Sequence, residues 1–196
     1  MQNEITWTID QAHSEIYFKA THLMISQVSG TFKTFNASIR TSGKDFTTAV
    51  IDLWIDASSL QTNDLNRDEH LRSKDFLDAH HHKQITFTSN TIGEGDSDGN
   101  HDLWGELTIR GITHKVKFSV HFGGILNDPY ANEKAGFTIT GKFNRKDWGL
   151  VWNRVVEAGG IMVGEEVTLT CELELINTTY KPSTLEITPN DAEVTL

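Results

Sequence analysis

From Glu166 to Leu175 the chain alternates without a slip. Val167, Leu169, Cys171, Leu173 and Leu175 are apolar, while Glu166, Thr168, Thr170, Glu172 and Glu174 are polar. Successive side chains of an extended strand point to opposite faces, so this period of two buries one face and wets the other. The same period recurs at Val116–Phe122, Phe137–Phe143, Ile51–Ala57, Leu103–Ile109, Ile85–Ser89 and Ile16–Lys19. From Phe32 to Ile39 the apolar parity shifts by one, as a β-bulge would make it.

Turn-like segments separate these runs. Thr41–Lys44, Gly93–Asn100 and Arg110–Thr113 read as hairpin connections, Gly123–Ala135 as a longer loop, and Gly159-Gly160 precedes the last long strand. Together they predict an all-β fold, an extended antiparallel eight-stranded up-and-down barrel of the lipocalin-like kind, whose closure removes exposed strand edges. One segment departs from the period. Asn63–Ala79 is polar and charged, and predicts one or two short helices at one barrel end, capped by Asn63 or Asn66 and by Ser73. After about Ile176 the pattern fades, so the barrel is assigned to residues 1–176 and residues 177–196 to a C-terminal extension or edge strand.

With 27 acidic against 17 basic side chains, the net charge of −10 repels phosphate backbones and anionic bilayers. Nucleic acid is therefore not an expected partner. No run approaches the roughly 20 apolar residues of a membrane span, so stable membrane insertion is not expected either. The N-terminal Met1–Trp7 lacks a basic and then apolar leader pattern. That points to the cytoplasm, or to the periplasm if a leader has been removed. Cys171, the single cysteine, stands on the apolar parity and reads as a buried, inert thiol.

Eight strands closed into a barrel leave an interior that side chains fill or that holds one small ligand. The inward set is almost wholly apolar: Ile16, Phe18, Phe32, Ile51, Leu53, Ile55, Phe87, Leu107, Ile109, Phe118, Val120, Phe137, Ile139, Leu169 and Leu173. Composition does not separate a hollow barrel from a filled one.

Several segments carry a family resemblance. They are Trp7-Thr8-Ile9-Asp10 with His13-Ser14; Gly30-Thr31-Phe32; the run Arg67-Asp68-Glu69-His70-Leu71-Arg72-Ser73-Lys74-Asp75-Phe76-Leu77-Asp78; Gly105 to Thr113; Phe143-Asn144-Arg145-Lys146-Asp147-Trp148-Gly149-Leu150; and Gly164-Glu165-Glu166-Val167. The chain resembles the YceI-like family of polyisoprenoid-binding barrels over about residues 5–176. The resemblance implies a hydrophobic pore, a long-chain isoprenoid or other fatty amphiphile as ligand, a homodimer, and no established catalytic centre.

The polar residues divide accordingly. Arg67, His70, Arg72 and Arg145 are candidates to meet a ligand's polar head, since guanidinium binds two oxygens at once. The plainer reading of Asn66–Asp78 is a solvated helix face with local ion pairs, and that of Arg145 with Asp147 is an ion pair fixing a turn. His80, His81 and His82 are adjacent, so their side chains diverge; no specific metal site and no cofactor is expected. Binding, storage or transport of a long-chain lipid is the expected function. The alternative is an isomerase or hydrolase acting on such a lipid, with Ser14, His22 or His70 at its site, although Ser14 lacks a nucleophile-elbow motif.

Overall fold

In the computed structural model, which describes residues 3–155 and 160–180, the alternating runs become one antiparallel sheet. Its strands are β1 (Glu4–Ile9), β2 (Glu15–His22), β3 (Ser26–Phe32), β4 (Phe35–Ser42), β5 (Asp45–Asp56), β6 (Leu60–Gln61), β7 (Gln84–Gly95), β8 (Asn100–Ile109), β9 (Ile112–Asn127), β10 (Glu133–Asn144) and β11 (Val163–Asn177). Three consecutive strands are interrupted. β1 and β2 both pair with β11 and are parted by a 3-10 turn at Gln11–His13. β4 pairs with β1, and β3 with β2. β5 pairs with β4, and the short β6 with β3. Counted as continuous ribbons these make eight strands in meander order, closed where β11 pairs along β2 and then β1, the last pairs being Trp7, Thr8 and Ile9 with Asn177, Ile176 and Leu175.

The parity shift after Phe32 is thus a break in the ribbon. Lys33 and Thr34 leave the ladder, and their N–H groups donate to the carbonyl and hydroxyl of Ser59 at 3.2 and 3.1 Å. Phe32 and Phe35 can then both be buried. The connection expected at Gly123–Ala135 is shorter than its composition suggests. β9 runs on to Asn127, through a register shift beside Gly136/Phe137 that lets the ladder absorb the extra glycines. Tyr180 is the last described residue, so most of the expected extension lies outside the described residues.

Among the described residues one α-helix forms, α1 (Leu65–Arg72). Its cap is Asp64, whose carboxylate accepts from Arg67 N–H at 3.0 Å. Ser73 starts no second helix; it ends this one, donating from N–H and hydroxyl to the His70 carbonyl at 3.1 and 2.7 Å. The charged run Asn66–Asp78 is only in part a solvated face: Asn66, Glu69 and Lys74 are exposed, but other charges turn to the barrel. Asp68 is buried and accepts from Thr62 N–H and Oγ1 at 2.7 and 2.6 Å. Arg67 bonds Thr62 Oγ1 and its carbonyl, both at 2.7 Å, and Arg72 donates to the carbonyls of Ser58 and Leu60. These charges bolt the helix to the barrel. No helix among the described residues is long and apolar enough to cross a membrane.

At the β1/β2 break, Lys134 Nζ donates to Asp10 Oδ2 at 2.8 Å and Glu174 Oε1 at 2.6 Å, with Asp128 at 3.6 Å. Its ammonium holds the Asp10 carboxyl well below the usual carboxylate range, and Asp10 first, then Glu174, raise the lysine. Asp10 therefore contributes stability that is fully present above its unfolded pKa of about 4 and is lost as pH falls toward its depressed folded value. Lys134→Met is expected to cost about 2 kcal/mol at neutral pH. The gap from the parent should narrow in acid, as the carboxylates protonate. Urea unfolding at pH values on both sides of that range checks this; an equal loss at every pH would refute the linkage.

Candidate functional site

The barrel interior is a chamber of about 200 Å³. Its lining is hydrophobic apart from Thr86 and Arg145. Every lining residue expected from the sequence faces it except Ile16, which is fully buried in the wall. Ile16 is flanked across the ladder by Phe32 and Cys171, and those two side chains take the chamber surface instead.

The inward residues Ile51, Leu53, Phe137, Ile139, Leu169 and Leu173 are only half-buried. Their exposed surface adjoins the chamber, which a barrel filled by side chains would not leave open. Three phenylalanine rings lie close over glycines of a neighbouring strand. A Cβ on Gly30 would stand 2.5 Å from Phe18, one on Gly105 2.3 Å from Phe87, and one on Gly141 2.1 Å from Phe118. Those contacts are too short for any side chain, so the rings rest against the wall rather than reaching across the lumen.

Arg145 is the one charged residue bordering this lining, and it shows the chamber no polar surface. Asn144 caps the 3-10 turn Arg145–Trp148, accepting from Lys146 N–H at 3.0 Å, and Gly149 ends it at φ 71°. Trp148 anchors the turn through Nε1 to the Leu107 carbonyl at 3.1 Å. Arg145 is 2% exposed. It donates to the carbonyls of Gly164 at 2.8 Å, Val163 at 3.2 Å and Leu150. The expected pair with Asp147 does not form: the guanidinium turns inward to carbonyls, and Asp147 offers its own carbonyl to His114 Nε2 at 3.0 Å. Burial pushes the Arg145 pKa down, Glu165 opposes this through space, and Glu165 is itself tied to Lys146 at 2.5 Å. Three of five guanidinium N–H groups are accounted for by these bonds.

The other head candidates stand elsewhere. Arg67 and Arg72 hold the helix, and neither lines the chamber. His70 stacks edge-on to Phe76 and Trp152, at ring distances of 5.1 and 4.6 Å, and pairs with Asp75 at 3.2 Å. The residues of the enzymatic alternative are not brought together. Ser14 Oγ accepts from Glu174 N–H at 3.0 Å, replacing a ladder bond at the β1/β2 break, whereas His22 pairs with Val163 at the far end of β2. Among the described residues the one grouping with metal-donor spacing is Asp10, His13 and Glu174, where the Lys134 ammonium already sits between the two carboxylates. His81 bonds Asp78 at 2.9 Å.

Among the lining residues that sequence parity missed are Phe46, on a bulge; Leu71, Phe76 and Leu77, on α1 and its following turn; Leu150, after the Arg145–Trp148 turn; and Val163, at the start of β11 before a register shift.

These features define a class: a closed eight-stranded meander barrel with an apolar chamber and a helix fastened at one end. The chain belongs to the YceI-like family, whose domain model matches residues 7–175. A UPF0312 protein of Staphylococcus epidermidis is 37% identical over 169 residues, covering 86% of this chain and 95% of the relative. The crystal structure of the Campylobacter jejuni YCEI protein matches with a TM-score of 0.69 at 28% identity, over 88% of this chain and 97% of that one. A polyisoprenoid binding domain from Saccharophagus degradans, implicated in plant cell wall breakdown, shares the fold at a TM-score of 0.63 and 14% identity, over 87% and 98% of the two chains.

Cys171 lies on the chamber wall, where burial first and the Glu172 charge second push its thiol up to about 12. At mildly alkaline pH its thiolate fraction is on the order of a thousand-fold below that of a free cysteine. Iodoacetamide should therefore leave the folded protein unlabelled over times that fully label it in urea; comparable rates in the two states would contradict this burial.

Proposed function

We propose that the protein binds a long-chain amphiphile, isoprenoid or fatty, with its tail in the chamber and an acidic head toward Arg145, as a carrier or reservoir. The observation that carries this reading is the set of inward apolar side chains left half-open onto a narrow interior space. Phe137 and Arg145 stand eight residues apart around the end of β10, about 27 Å of strand, or ~20 Å along the axis of a tilted barrel. A volume of about 200 Å³ exceeds the roughly 150 Å³ that admits benzene, but spread over such a length it suits a chain better than a compact ring. A tail burying about ten methylenes gains roughly 8 kcal/mol, enough to offset several kcal/mol of lost motion. Few polar contacts are then needed. The ligand named for the Saccharophagus degradans domain agrees in kind.

Arg145 favours an acidic head because a buried cation beside the chamber attracts an anion that comes near it, and two of its N–H groups are left over from the carbonyls of the wall. Purified protein, extracted with organic solvent and analysed by mass spectrometry, should yield a chemically unaltered long-chain species. Arg145→Gln should weaken palmitate binding about 10- to 100-fold while leaving hexadecanol nearly unchanged. Arg145→Lys, which keeps the charge, should fall between. Equal losses for acid and alcohol would remove Arg145 from head recognition, and failure of the parent protein to bind either would overturn the whole reading. Gly141→Ala should push the Phe118 ring into the lumen and weaken acid and alcohol alike; unchanged affinity for both would show that this ring does not bound the tail.

A further inference from the structure

At the end away from Arg145 the chamber is bordered by a bulge in the β4–β5 ladder. Between the pairs Arg40↔Val50 and Ser42↔Asp45 the register shifts, so Thr41 of β4 faces four residues, Phe46 to Ala49, of β5. Asp45 holds this excess in place. Its carboxylate accepts from Thr47 N–H at 2.9 Å and Thr47 Oγ1 at 2.6 Å, and its carbonyl accepts from Thr48 Oγ1 at 2.6 Å. Thr48 Oγ1 in turn accepts from Ser42 N–H at 2.8 Å. The bulge takes Phe46 off the parity of Ile51, Leu53 and Ile55 and onto the chamber lining.

There the Phe46 ring joins an aromatic cluster, 4.7 Å from Phe137, 5.0 Å from Trp7 and 5.5 Å from Phe122. Beyond it lies a second hollow of about 230 Å³, bordered by Lys44, Asp45, Thr47, His101 and Phe122. Phe46, Ile92 and Val120 line both spaces, so one layer of side chains separates them. Moving Phe46 aside would join the two and about double the space open to a chain. Of the three, Phe46 alone sits on the bulge, outside the regular ladder between β4 and β5.

We infer that Phe46 is the floor of the chamber and sets the length of tail the protein accepts, longer tails passing it into the outer hollow only when it yields. This rests on the lipid-binding reading and adds to it a residue that determines specificity.

The test is a series of straight-chain alkanoates, octanoate to eicosanoate, titrated into the parent protein, Phe46→Ala and Phe46→Leu. In the parent, affinity should rise by about fourfold per methylene and then stop rising at a definite length. Phe46→Ala should move that plateau to longer tails. Phe46→Leu, which keeps an apolar contact for the fully buried Trp7, should move it less, and it carries the test alone if the alanine variant does not fold. A plateau at the same length in all folded variants overturns the inference and leaves lipid binding standing. Absence of binding by any alkanoate to the parent overturns the lipid-binding reading and this one with it.

Discussion

Everything inside the barrel depends on closing the sheet, and the closure runs along β11. β2 pairs with β11 between Val163 and Glu172, and past the turn at Gln11–His13 β1 continues the seam, Trp7, Thr8 and Ile9 pairing with Asn177, Ile176 and Leu175. An open eight-stranded sheet would expose two edges and both ends of its apolar face, so this seam decides whether the alternating pattern encloses a space at all. The chain reinforces it with contacts outside the ladder. Thr178 bonds the Thr6 carbonyl through N–H and hydroxyl, both at 2.9 Å. Glu133 accepts from Asn177 Nδ2 at 2.7 Å and from Lys44, and Lys134 clamps Asp10 to Glu174. Trp7, fully buried, donates to Thr41 Oγ1 at 3.0 Å and so ties the seam to the hairpin that carries Phe46.

Closure alone does not make a chamber. An eight-stranded barrel is about the size that side chains can fill, and ten phenylalanines would fill one readily. The glycines at positions 30, 105 and 141 change the outcome by giving three of those rings a place against the wall. A Cβ at any of them would drive a phenyl group inward, where it would occupy volume comparable to a ring-sized ligand. Hollowness here is a matter of where small residues face large ones, and composition does not register it.

This separates what the sequence made legible from what it hid. Period two, read at Val167–Leu175 and Leu103–Ile109, located strands because one face is buried along the whole barrel. Arg145 came to notice through the Phe143–Leu150 segment, yet two of its three carbonyl partners are eighteen and nineteen residues away, which no local pairing rule could supply. The β2–β3 hairpin went unmarked because Leu23 and Met24 adopt left-handed φ values of 52° and 63°, where turn rules look for glycine or asparagine. Phe46 went unmarked for a related reason: a bulge held by Asp45, Thr47 and Thr48 breaks the parity on which lining residues are recognised. The charged run of α1 was visible, but its partners at Ser58–Thr62 became neighbours only once β5 and β6 had bent around the barrel.

A division of labour follows from where the charges sit. Lys134, Asp68, Arg67 and Arg72 all serve the wall from positions off the chamber, so the lining carries almost no duty in holding the fold's polar groups. An apolar lining freed in this way can shift rotamers around a tail of variable shape at little cost, since dispersion contacts are individually weak and interchangeable. Arg145 is the exception. It caps three carbonyls of the wall and borders the chamber, so its position is fixed by the fold. A head group meeting it would find a preorganised cation, and the loss of motion on binding would fall on the ligand rather than on the arginine.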